Sequence, residues 1–237
     1  NLADSYISHL EPFHHAGAEA GAKVHVVFVD SEVVQQYGIT EELLGADGIL
    51  IPGGFGTRGI EGKIATAKFA RENRIPFLGV CLGFQIATIE FARNVLGMEG
   101  ANSTEFDPDT PFPVVDLLPE QKNVKKMGAT MRLGAQPVMV EEGSKAYELY
   151  GKALIMERHR HRFEVNPKHI EELEKGGWKF TGRSADGIKM EIGEMSGYDY
   201  YVASQFHPEF KSRPRKPSPL HYGLVKAAVA RKYGGTQ

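Results

Sequence analysis

The sequence predicts an α/β domain built on a doubly wound, mostly parallel sheet with flanking helices. Three short segments, 24–29, 48–51 and 76–80, are apolar throughout, as expected of strands that are buried on both faces. Segments with apolar residues at helical spacing, at about 61–72 and 82–95, follow the second and third of them. Strands and helices that alternate in this way indicate βαβ units, whose helices cover both faces of a parallel sheet.

The other segments fit around this sheet. The first, at about 4–21, has the apolar spacing of a helix, although Pro12 is expected to bend or interrupt it. A short helix is expected near 40–44. After residue 102 the apolar segments are shorter and turns more frequent, which predicts a small antiparallel extension. We expect strands there at 114–118, 129–133, 137–140, 178–182, 188–192 and 200–206, and helices at 144–150, 167–174 and 220–232.

Composition restricts the classes of function. The chain has 237 residues, a formal net charge of -2 and one cysteine. One cysteine excludes an intramolecular disulfide and a cysteine-rich zinc module, and it favours a reducing, cytoplasmic setting. The charge does not favour nucleic acid as a partner, and no segment approaches the about 20 consecutive apolar residues of a membrane span. With no repeat or linker in the sequence, we expect residues 1–237 to form one domain.

The segment around Cys81 is the most informative. Cys81 lies between a predicted strand and a predicted helix, with Gly79 and Gly83 two residues to either side. This is the cysteine counterpart of the G-x-S-x-G elbow, in which a tight turn projects a nucleophile. The N-terminal N–H groups of the following helix would stabilise a thiolate and an oxyanion. The alternative is a buried cysteine that packs as a small hydrophobic residue.

A cysteine nucleophile needs a base, which is usually a histidine oriented by a third group. His207 directly follows the strand at 200–206, and Glu209 is two residues further on. Cys81, His207 and Glu209 therefore form a candidate triad. His25 lies in a predicted strand. A solvent-exposed role is expected for four other histidines: His9, His14, His15 and His169.

A glycine-rich loop follows the second strand. Gly54, Gly56 and Gly59 match G-x-G-x-x-G, the dinucleotide-binding fingerprint. That fingerprint expects an acidic residue at the end of the next strand, where this chain has Cys81. In the alternative, which we favour, the loop directs the N–H of Gly54 towards an oxyanion, together with the N–H of Leu82.

Arginine and histidine alternate over 157–164. As a solvated strand, this segment would place three arginines on one face. As an anion-binding element, it would offer a guanidinium to a substrate carboxylate. Composition does not decide between these two interpretations.

Three motifs together resemble the class I, triad-type glutamine amidotransferases: Gly-Gly-Phe-Gly at 53–56, Gly-Val-Cys-Leu-Gly-Phe-Gln at 79–85 and Phe-His-Pro-Glu-Phe at 206–210. Within this family, the chain is most similar to the glutaminase domains of CTP synthases, and the match covers essentially its whole length. The segments that carry the narrower resemblance are 58–62, 102–106, 131–134, 157–164 and 212–219. The resemblance implies a flavodoxin-like fold.

The resemblance also implies the chemistry. Cys81 would attack the side-chain amide of L-glutamine, giving a γ-glutamyl thioester and ammonia, while His207 moves protons and Glu209 orients His207. Gly54 and Leu82 would form the oxyanion hole. The residues that the resemblance assigns to glutamine binding are Gly54, Leu82, Gly83, Phe84, Gln85, Glu105 and Arg162. Glu105 and Arg162 are matched in charge to the ammonium and the carboxylate of glutamine.

Further implications concern regulation and partners. Arg58, Gly59 and Glu61 are similar to a lid that is associated with allosteric activation by GTP. The resemblance implies no cofactor and no metal in this domain. ATP and Mg²⁺ would bind to a covalently linked synthetase (amidoligase) domain that aminates UTP to CTP in a homotetramer. By the same resemblance, we expect that domain and the first strand of the family pattern to lie upstream of this sequence.

Small departures from the family pattern leave the triad intact. Phe84 and Phe163 replace a common Met and Tyr, and Thr57 replaces a common aromatic residue. Two other functions remain open from the sequence: a glutamine-sensing module without catalysis, and a glutaminase subunit of another amidoligase or a γ-glutamyl hydrolase. The intact triad argues against the first of these, since a binding module needs neither a nucleophile nor a base.

Overall fold

A seven-stranded mixed sheet forms the centre of the molecule in this computed structural model, which describes residues 6–119 and 131–234. The strands are numbered in chain order, and their order across the sheet is β1 (Ile49–Ile51), β2 (Phe77–Val80), β10 (Tyr201–Ser204), β9 (Met190–Met195), β8 (Trp178–Ser184), β5 (Arg132–Val140) and β6 (Leu154–His161). β1, β2 and β10 are parallel. The remaining neighbours, from β10 to β6, pair in antiparallel fashion.

A second, three-stranded sheet lies beside the first. It consists of β3 (Asn102–Ser103), β4 (Pro113–Asp116) and β7 (Glu164–Val165), in that order. The described helices are α1 (Ile7–Ala20), α2 (Ser31–Tyr37), α3 (Glu41–Leu44), α4 (Ile60–Glu72), α5 (Leu82–Asn94), α6 (Lys145–Tyr150), α7 (Ile170–Gly176) and α8 (Pro219–Tyr233). Short 3-10 helices span Pro167–His169 and Pro208–Lys211. None of the helices in the described ranges has the length and apolar character that crossing a membrane requires.

Two hydrophobic cores lie on opposite faces of the main sheet. Phe77 of β2 is fully buried in the core that includes residues of α4 and α5, and the next residue, Leu78, is fully buried in the core that includes residues of α1 and α8. Successive residues of a strand point to opposite faces, so β2 is apolar on both. Burial on both faces explains why this strand reads as a continuous apolar run.

The predicted α/β fold is confirmed, with several local differences. The strands expected at 129–133 and 137–140 form one strand, β5, and residues 129 and 130 lie outside the described ranges. The antiparallel part is larger than a small extension, since four of the seven strands belong to it. Helix α1 continues through Pro12, which is buried. The prediction of a strand at 24–29 is wrong: among the described residues this segment pairs with no strand, and Val27 is exposed. Val24, Val26 and Val29 pack against the cores, but the segment has no backbone partner for a ladder among the described residues.

The parallel strands bring the predicted functional segments to one edge. The chain leaves β1 into the loop at 52–59, leaves β2 at Cys81 and leaves β10 towards His207. Because β1, β2 and β10 are parallel neighbours, their carboxyl ends meet at the same edge of the sheet. In open α/β sheets this edge is where ligands bind.

Candidate active site

Cys81 occupies a strained turn between β2 and α5. Its backbone has φ +54° and ψ −99°, and its N–H donates a hydrogen bond to the carbonyl of Ser204 in β10 at 2.7 Å. Positive φ is uncommon outside glycine and indicates a constraint from the surroundings. A Cβ on Gly83 would clash with the carbonyl oxygen of Ile51, and one on Gly79 would lie 2.5 Å from the carbonyl oxygen of Gly83. The two glycines therefore allow the close backbone contacts of the predicted elbow.

His207 lies beside this turn and is held by Glu209. Its Nδ1 is 2.7 Å from the Oε1 of Glu209, and its backbone N–H donates to the carbonyl of Arg158 at 2.8 Å. A Cβ on Gly53 would lie 2.8 Å from the Cε1 of His207 and 3.5 Å from the Cβ of Cys81. Gly53 therefore occupies the narrow space between the imidazole and the cysteine.

The electrostatics around His207 favour the imidazolium. Burial lowers the pKa of His207, but its hydrogen bonds to Cys81 and Glu209 and the charges of these two groups outweigh burial. The net effect raises the pKa of His207 to about 10. The imidazolium carries one N–H on each ring nitrogen, so it can donate to the Glu209 carboxylate and to the sulfur of Cys81 at once, as acid–base catalysis at the sulfur requires.

Cys81 opens into a cavity of about 270 Å³. The residues lining it are Gly54, Phe55, Cys81, Leu82, Gln85, Glu105, Met131, His161, Arg162 and Phe163. Burial raises the pKa of Glu105, while a hydrogen bond from the backbone of Gly56 and the charge of Arg162 act against that shift. The cavity thus has an acidic and a basic residue in its wall, close enough to interact.

Most of the residues predicted for glutamine binding line this cavity, but Gly83 and Phe84 do not. Phe84 is fully buried and contacts the rings of Trp178 and Phe180. The reason is helical geometry: in α5, which begins at Leu82, the side chain of Gln85 faces the cavity whereas that of Phe84 points into the core. Only the backbone of Phe84 is near the elbow, where its N–H donates to the carbonyl of Cys81 at 3.1 Å.

A sequence model of the family described as "Glutamine amidotransferase class-I" matches residues 1–227. The chain belongs to the class I glutamine amidotransferase family. The predicted family, its fold and its enzyme class are thereby confirmed. The glycine-rich loop begins beside Cys81 and His207. This position fits a role at the cysteine and gives no support to the dinucleotide interpretation.

Relatives indicate which branch of the family is most similar. Over 228 residues, the chain is 58% identical to the CTP synthase of Pyrococcus abyssi, and the match covers 96% of this chain and 42% of the relative. Identity to the Bacillus subtilis CTP synthase is 52%, covering 96% of this chain and 43% of the relative. This class I amidotransferase chain therefore spans less than half the length of these curated relatives.

A solved structure points to the same branch of the family. The glutaminase domain of Trypanosoma brucei CTPS, determined with bound acivicin, matches with a TM-score of 0.91 and 38% identity, covering 98% of this chain and 91% of that one. A structure of a glutamine amidotransferase from Methylobacillus flagellatus has a TM-score of 0.52 at 14% identity, over 96% and 90% of the two chains. The second match shows a shared fold alone.

The residues predicted to form the lid of this amidotransferase do not line the cavity. Arg58 forms an ion pair with Glu32 of α2, and Gly59 has φ +63° at the start of α4, where a Cβ would clash with the first residue of α2. Glu61 pairs with Arg93 at 2.8 Å. These contacts hold residues 58–61 between α2 and α5, beside the cavity and outside its lining.

The alternating segment at 157–164 forms most of β6 and points its histidines inward. His159 and His161 are buried, with 3.0 Å between the Nδ1 of the first and the Nε2 of the second. Arg132 lies between two buried carboxylates, at 3.0 Å from Glu164 and 2.7 Å from Glu191. Burial first, and then the charge of Arg132, lower the pKa of His159 to about 3.

Sequence reasoning missed this buried group. The period-two alternation of arginine and histidine predicts that one set of side chains faces inward, and the outcome is that the histidines do so. His159, His161 and Glu191 offer ligand atoms within 4.8 Å of one another, a geometry that could hold a metal ion. Arg132 already provides a cation to the carboxylate of Glu191, which weakens the case for a metal at this position.

The expected exposure of His9 is wrong. His9 is 6% exposed on the inner side of α1, where its Nε2 lies 3.7 Å from the Oε1 of Glu209. Helix α1 packs against α8 and against the 3-10 helix that carries Glu209. His14 is exposed, as expected, and His15 is partly buried, with its Nδ1 3.0 Å from the hydroxyl of Ser212.

Proposed function

We propose that the chain hydrolyses L-glutamine to glutamate and ammonia, with Cys81 as nucleophile, His207 as acid and base and Glu209 as the group that orients His207. The observation that carries this proposal is the packing of His207 and Cys81 on either side of Gly53, with the imidazole held by Glu209 at 2.7 Å. A nucleophile, a base and an orienting carboxylate in contact are the parts that acyl transfer needs.

Acylation follows from this arrangement. The sulfur of Cys81 attacks the side-chain amide carbon of glutamine and forms a C–S bond. The C–N bond then breaks, and His207 transfers its proton to the departing nitrogen, which leaves as ammonia. In the tetrahedral intermediate, the negative oxygen accepts hydrogen bonds from the N–H groups of Gly54 and Leu82. Leu82 is the first residue of α5, so its N–H has no partner within the helix.

Deacylation reverses the proton movements. His207, now neutral, removes a proton from a water molecule, whose oxygen attacks the thioester carbon. The C–S bond breaks and glutamate leaves, which restores the thiolate of Cys81 beside the protonated His207. The hydrogen bond to Glu209 keeps the Nδ1 of His207 protonated, so that Nε2 is the nitrogen that exchanges protons in both halves of the reaction.

The cavity supports glutamine as the substrate. We assign the ammonium of glutamine to Glu105 and its carboxylate to Arg162, both of which line the cavity. Gln85 completes the wall and is itself held by hydrogen bonds from its Nε2 to the carbonyl of Phe163 at 3.2 Å and to the Oε1 of Gln205 at 3.3 Å. A zwitterion bound by opposite charges would present its amide end to Cys81.

The relatives support a proposal for the use of the ammonia. The chain is similar to part of several CTP synthases, which are more than twice as long as this chain. We infer that the ammonia aminates UTP to CTP in a covalently linked, ATP- and Mg²⁺-dependent synthetase domain of a cytoplasmic, tetrameric enzyme. In this proposal Arg58, Gly59 and Glu61 belong to a lid through which GTP activates the reaction.

The test is glutamate and ammonia release from glutamine by the wild-type protein and by Cys81→Ala. We expect release by the wild type and a loss of at least about a thousandfold in the variant, because the nucleophile is absent. Release that is unchanged in a folded Cys81→Ala protein would refute the mechanism. Saturable glutamine binding without any release by the wild type would instead favour a sensing module. If ammonia is released but UTP is not aminated in the full protein, the chain serves another amidoligase.

A further inference from the structure

A row of buried polar side chains lies behind Glu209, on the side away from the cavity. The Nε2 of His9 is 3.7 Å from the Oε1 of Glu209, and the Nδ1 of His9 is 3.1 Å from the Nε2 of His221. The Nδ1 of His221 is 2.8 Å from the hydroxyl of Ser218. We call His9, His221 and Ser218 the histidine relay. All three are buried, His221 completely so.

The relay closes into a ring that returns to Glu209. The N–H of Ser218 donates to the hydroxyl oxygen of Ser212 at 3.0 Å, and the N–H of Ser212 donates to the backbone carbonyl of Glu209 at 3.1 Å. His9 belongs to α1, and His221 belongs to α8, which Ser218 precedes. Two helices and the 3-10 helix with Glu209 are thus joined by hydrogen bonds and one charge contact.

Donor and acceptor requirements fix the direction of the relay. Burial lowers the pKa of both His9 and His221, so each ring is neutral, with one N–H and one acceptor nitrogen. In one arrangement the Ser218 hydroxyl donates to His221, His221 donates to His9, and the Nε2–H of His9 points at Glu209. In the other, every bond is reversed and the lone pair of His9 faces the carboxylate of Glu209, which repels it. The first arrangement is therefore favoured.

The N–H of His9 faces Oε1 of Glu209, the oxygen that also accepts from His207, at 3.7 Å, so the contact is a charge–dipole interaction and not a hydrogen bond. The Oε2 of Glu209 is buried and has no hydrogen-bond partner within residues 6–119 and 131–234. A buried carboxylate with an unsatisfied oxygen is costly and loosely oriented unless nearby dipoles stabilise it. The charged and titratable groups that face it are His207, His9, Glu157 and Tyr150. Of these four groups, only His207 takes part in the proposed mechanism, and His9 is the one whose N–H the relay directs at the carboxylate.

We propose that His9 and His221 are positioning residues: through the Nε2–H of His9 they hold the Glu209 carboxylate in the orientation that keeps His207 directed at Cys81. His221 sets the tautomer of His9, and Ser218 sets that of His221. The effect on rate rests on the proposed glutaminase function, whereas the tautomers do not depend on it. The relay makes no contact with the cavity, so it acts on kcat and not on the KM for glutamine.

The kinetic test compares His9→Phe and His9→Gln in the intact protein. His9→Phe removes the N–H, and we expect kcat to fall about tenfold with the KM for glutamine unchanged. His9→Gln keeps a donor for Glu209 and an acceptor for His221, so it should restore most of kcat. Leu224→Ala is the matched control: it lies outside the relay, in the core that includes Phe13, whose ring contacts His221, so it lowers stability and leaves kcat unchanged.

Two further measurements separate a relay from a packing effect. His221→Phe is expected to lower kcat like His9→Phe, and the double variant should lose no more than either single variant, because the two histidines act in series. Losses that multiply in the double variant, or a His9→Gln variant as slow as His9→Phe, would refute the relay.

Nitrogen-15 NMR tests the relay without any activity. We expect His9 and His221 to be neutral Nε2–H tautomers at neutral pH. An Nδ1–H tautomer at His9 would contradict the proposal, even if the wild-type protein hydrolyses glutamine. If the wild type releases no glutamate but the tautomers are as expected, the proposed function fails and the relay stands as a hydrogen-bonded ring around Glu209.

Discussion

The Nδ1 of His207 lies 2.7 Å from the Oε1 of Glu209, a residue only two positions further along the chain. The contact is local, because the 3-10 helix Pro208–Lys211 turns the carboxylate back onto the imidazole. Cys81, in contrast, reaches the pair through the sheet, since β2 and β10 are adjacent and parallel. The site therefore combines a preformed His–Glu pair with a cysteine positioned by sheet register.

Glu209→Gln tests the orienting role. The glutamine amide can present its NH₂ to His207 and stabilise the tautomer with the proton on the wrong nitrogen. We expect glutamate release to fall by about a hundredfold to ten-thousandfold, with little change in the KM for glutamine. A loss of less than about threefold, measured in a folded variant, would mean that Glu209 does not orient the base.

Gly53→Ala tests the packing of His207 against Cys81. The new methyl group would lie 2.8 Å from the Cε1 of His207, so the imidazole must move. We expect kcat to fall about tenfold to a hundredfold, because a displacement of about 1 Å can have this effect. The control is Gly45→Ala, whose Cβ meets its nearest atom at an ordinary 3.5 Å. It should retain full activity, and equal losses in both variants would contradict the packing role of Gly53.

Glu105→Gln tests recognition of the substrate ammonium. The variant keeps the size of the side chain and removes its charge, so binding of glutamine weakens in the ground state and the transition state alike. We expect the KM for glutamine to rise about tenfold while kcat stays within about threefold. Steady-state kinetics measure both. An unchanged KM would remove Glu105 from the binding site, and a fall confined to kcat would assign it to the chemistry instead.

The pH dependence of stability reports on His207. Its pKa is raised to about 10 in the folded protein, above its usual value near 6.5, so the folded state binds the proton more tightly. The resulting stabilisation is complete below about pH 6.5 and is lost as the pH rises through 10. We expect the difference in the free energy of unfolding between wild type and His207→Gln to shrink over this interval in urea titrations. A difference that does not change between pH 6.5 and 10 would contradict the raised pKa of His207.

Sequence reasoning could bring Cys81, His207 and Glu209 to one place because the signals for these residues are local. The two glycines around Cys81 and the His-Pro-Glu motif each specify a short piece of backbone, and the parallel strands bring the pieces together. The contact between His9 and His221 could not be found in this way, because 212 positions separate the two residues and a single histidine in a helix carries no periodic signal. The direction of Phe84 depends on the exact start of α5, which sequence patterns place only approximately.

The segment 24–29 shows a further limit. Its apolar run is typical of a buried strand, but a strand also requires a neighbouring backbone with free N–H and C=O groups. The composition of a segment shows whether it is apolar, but it does not show whether such a neighbouring backbone is available. Val24, Val26 and Val29 of this segment contact the hydrophobic cores, whereas Val27 and Phe28 are exposed.

Covalent labelling of Cys81 tests the central claim most directly. The probe is the chloroketone analogue of glutamine, whose ketone carbon stands at the position of the amide carbon and whose chloride is displaced by the sulfur to give a thioether. Because Cys81 is the one cysteine in the sequence, a thiol adduct is unambiguous. The proposed mechanism predicts a single adduct on Cys81 by peptide mass spectrometry, slowed by glutamine and absent in Cys81→Ala. A folded wild-type protein that remains unlabelled, or labelling that glutamine does not slow, would contradict it.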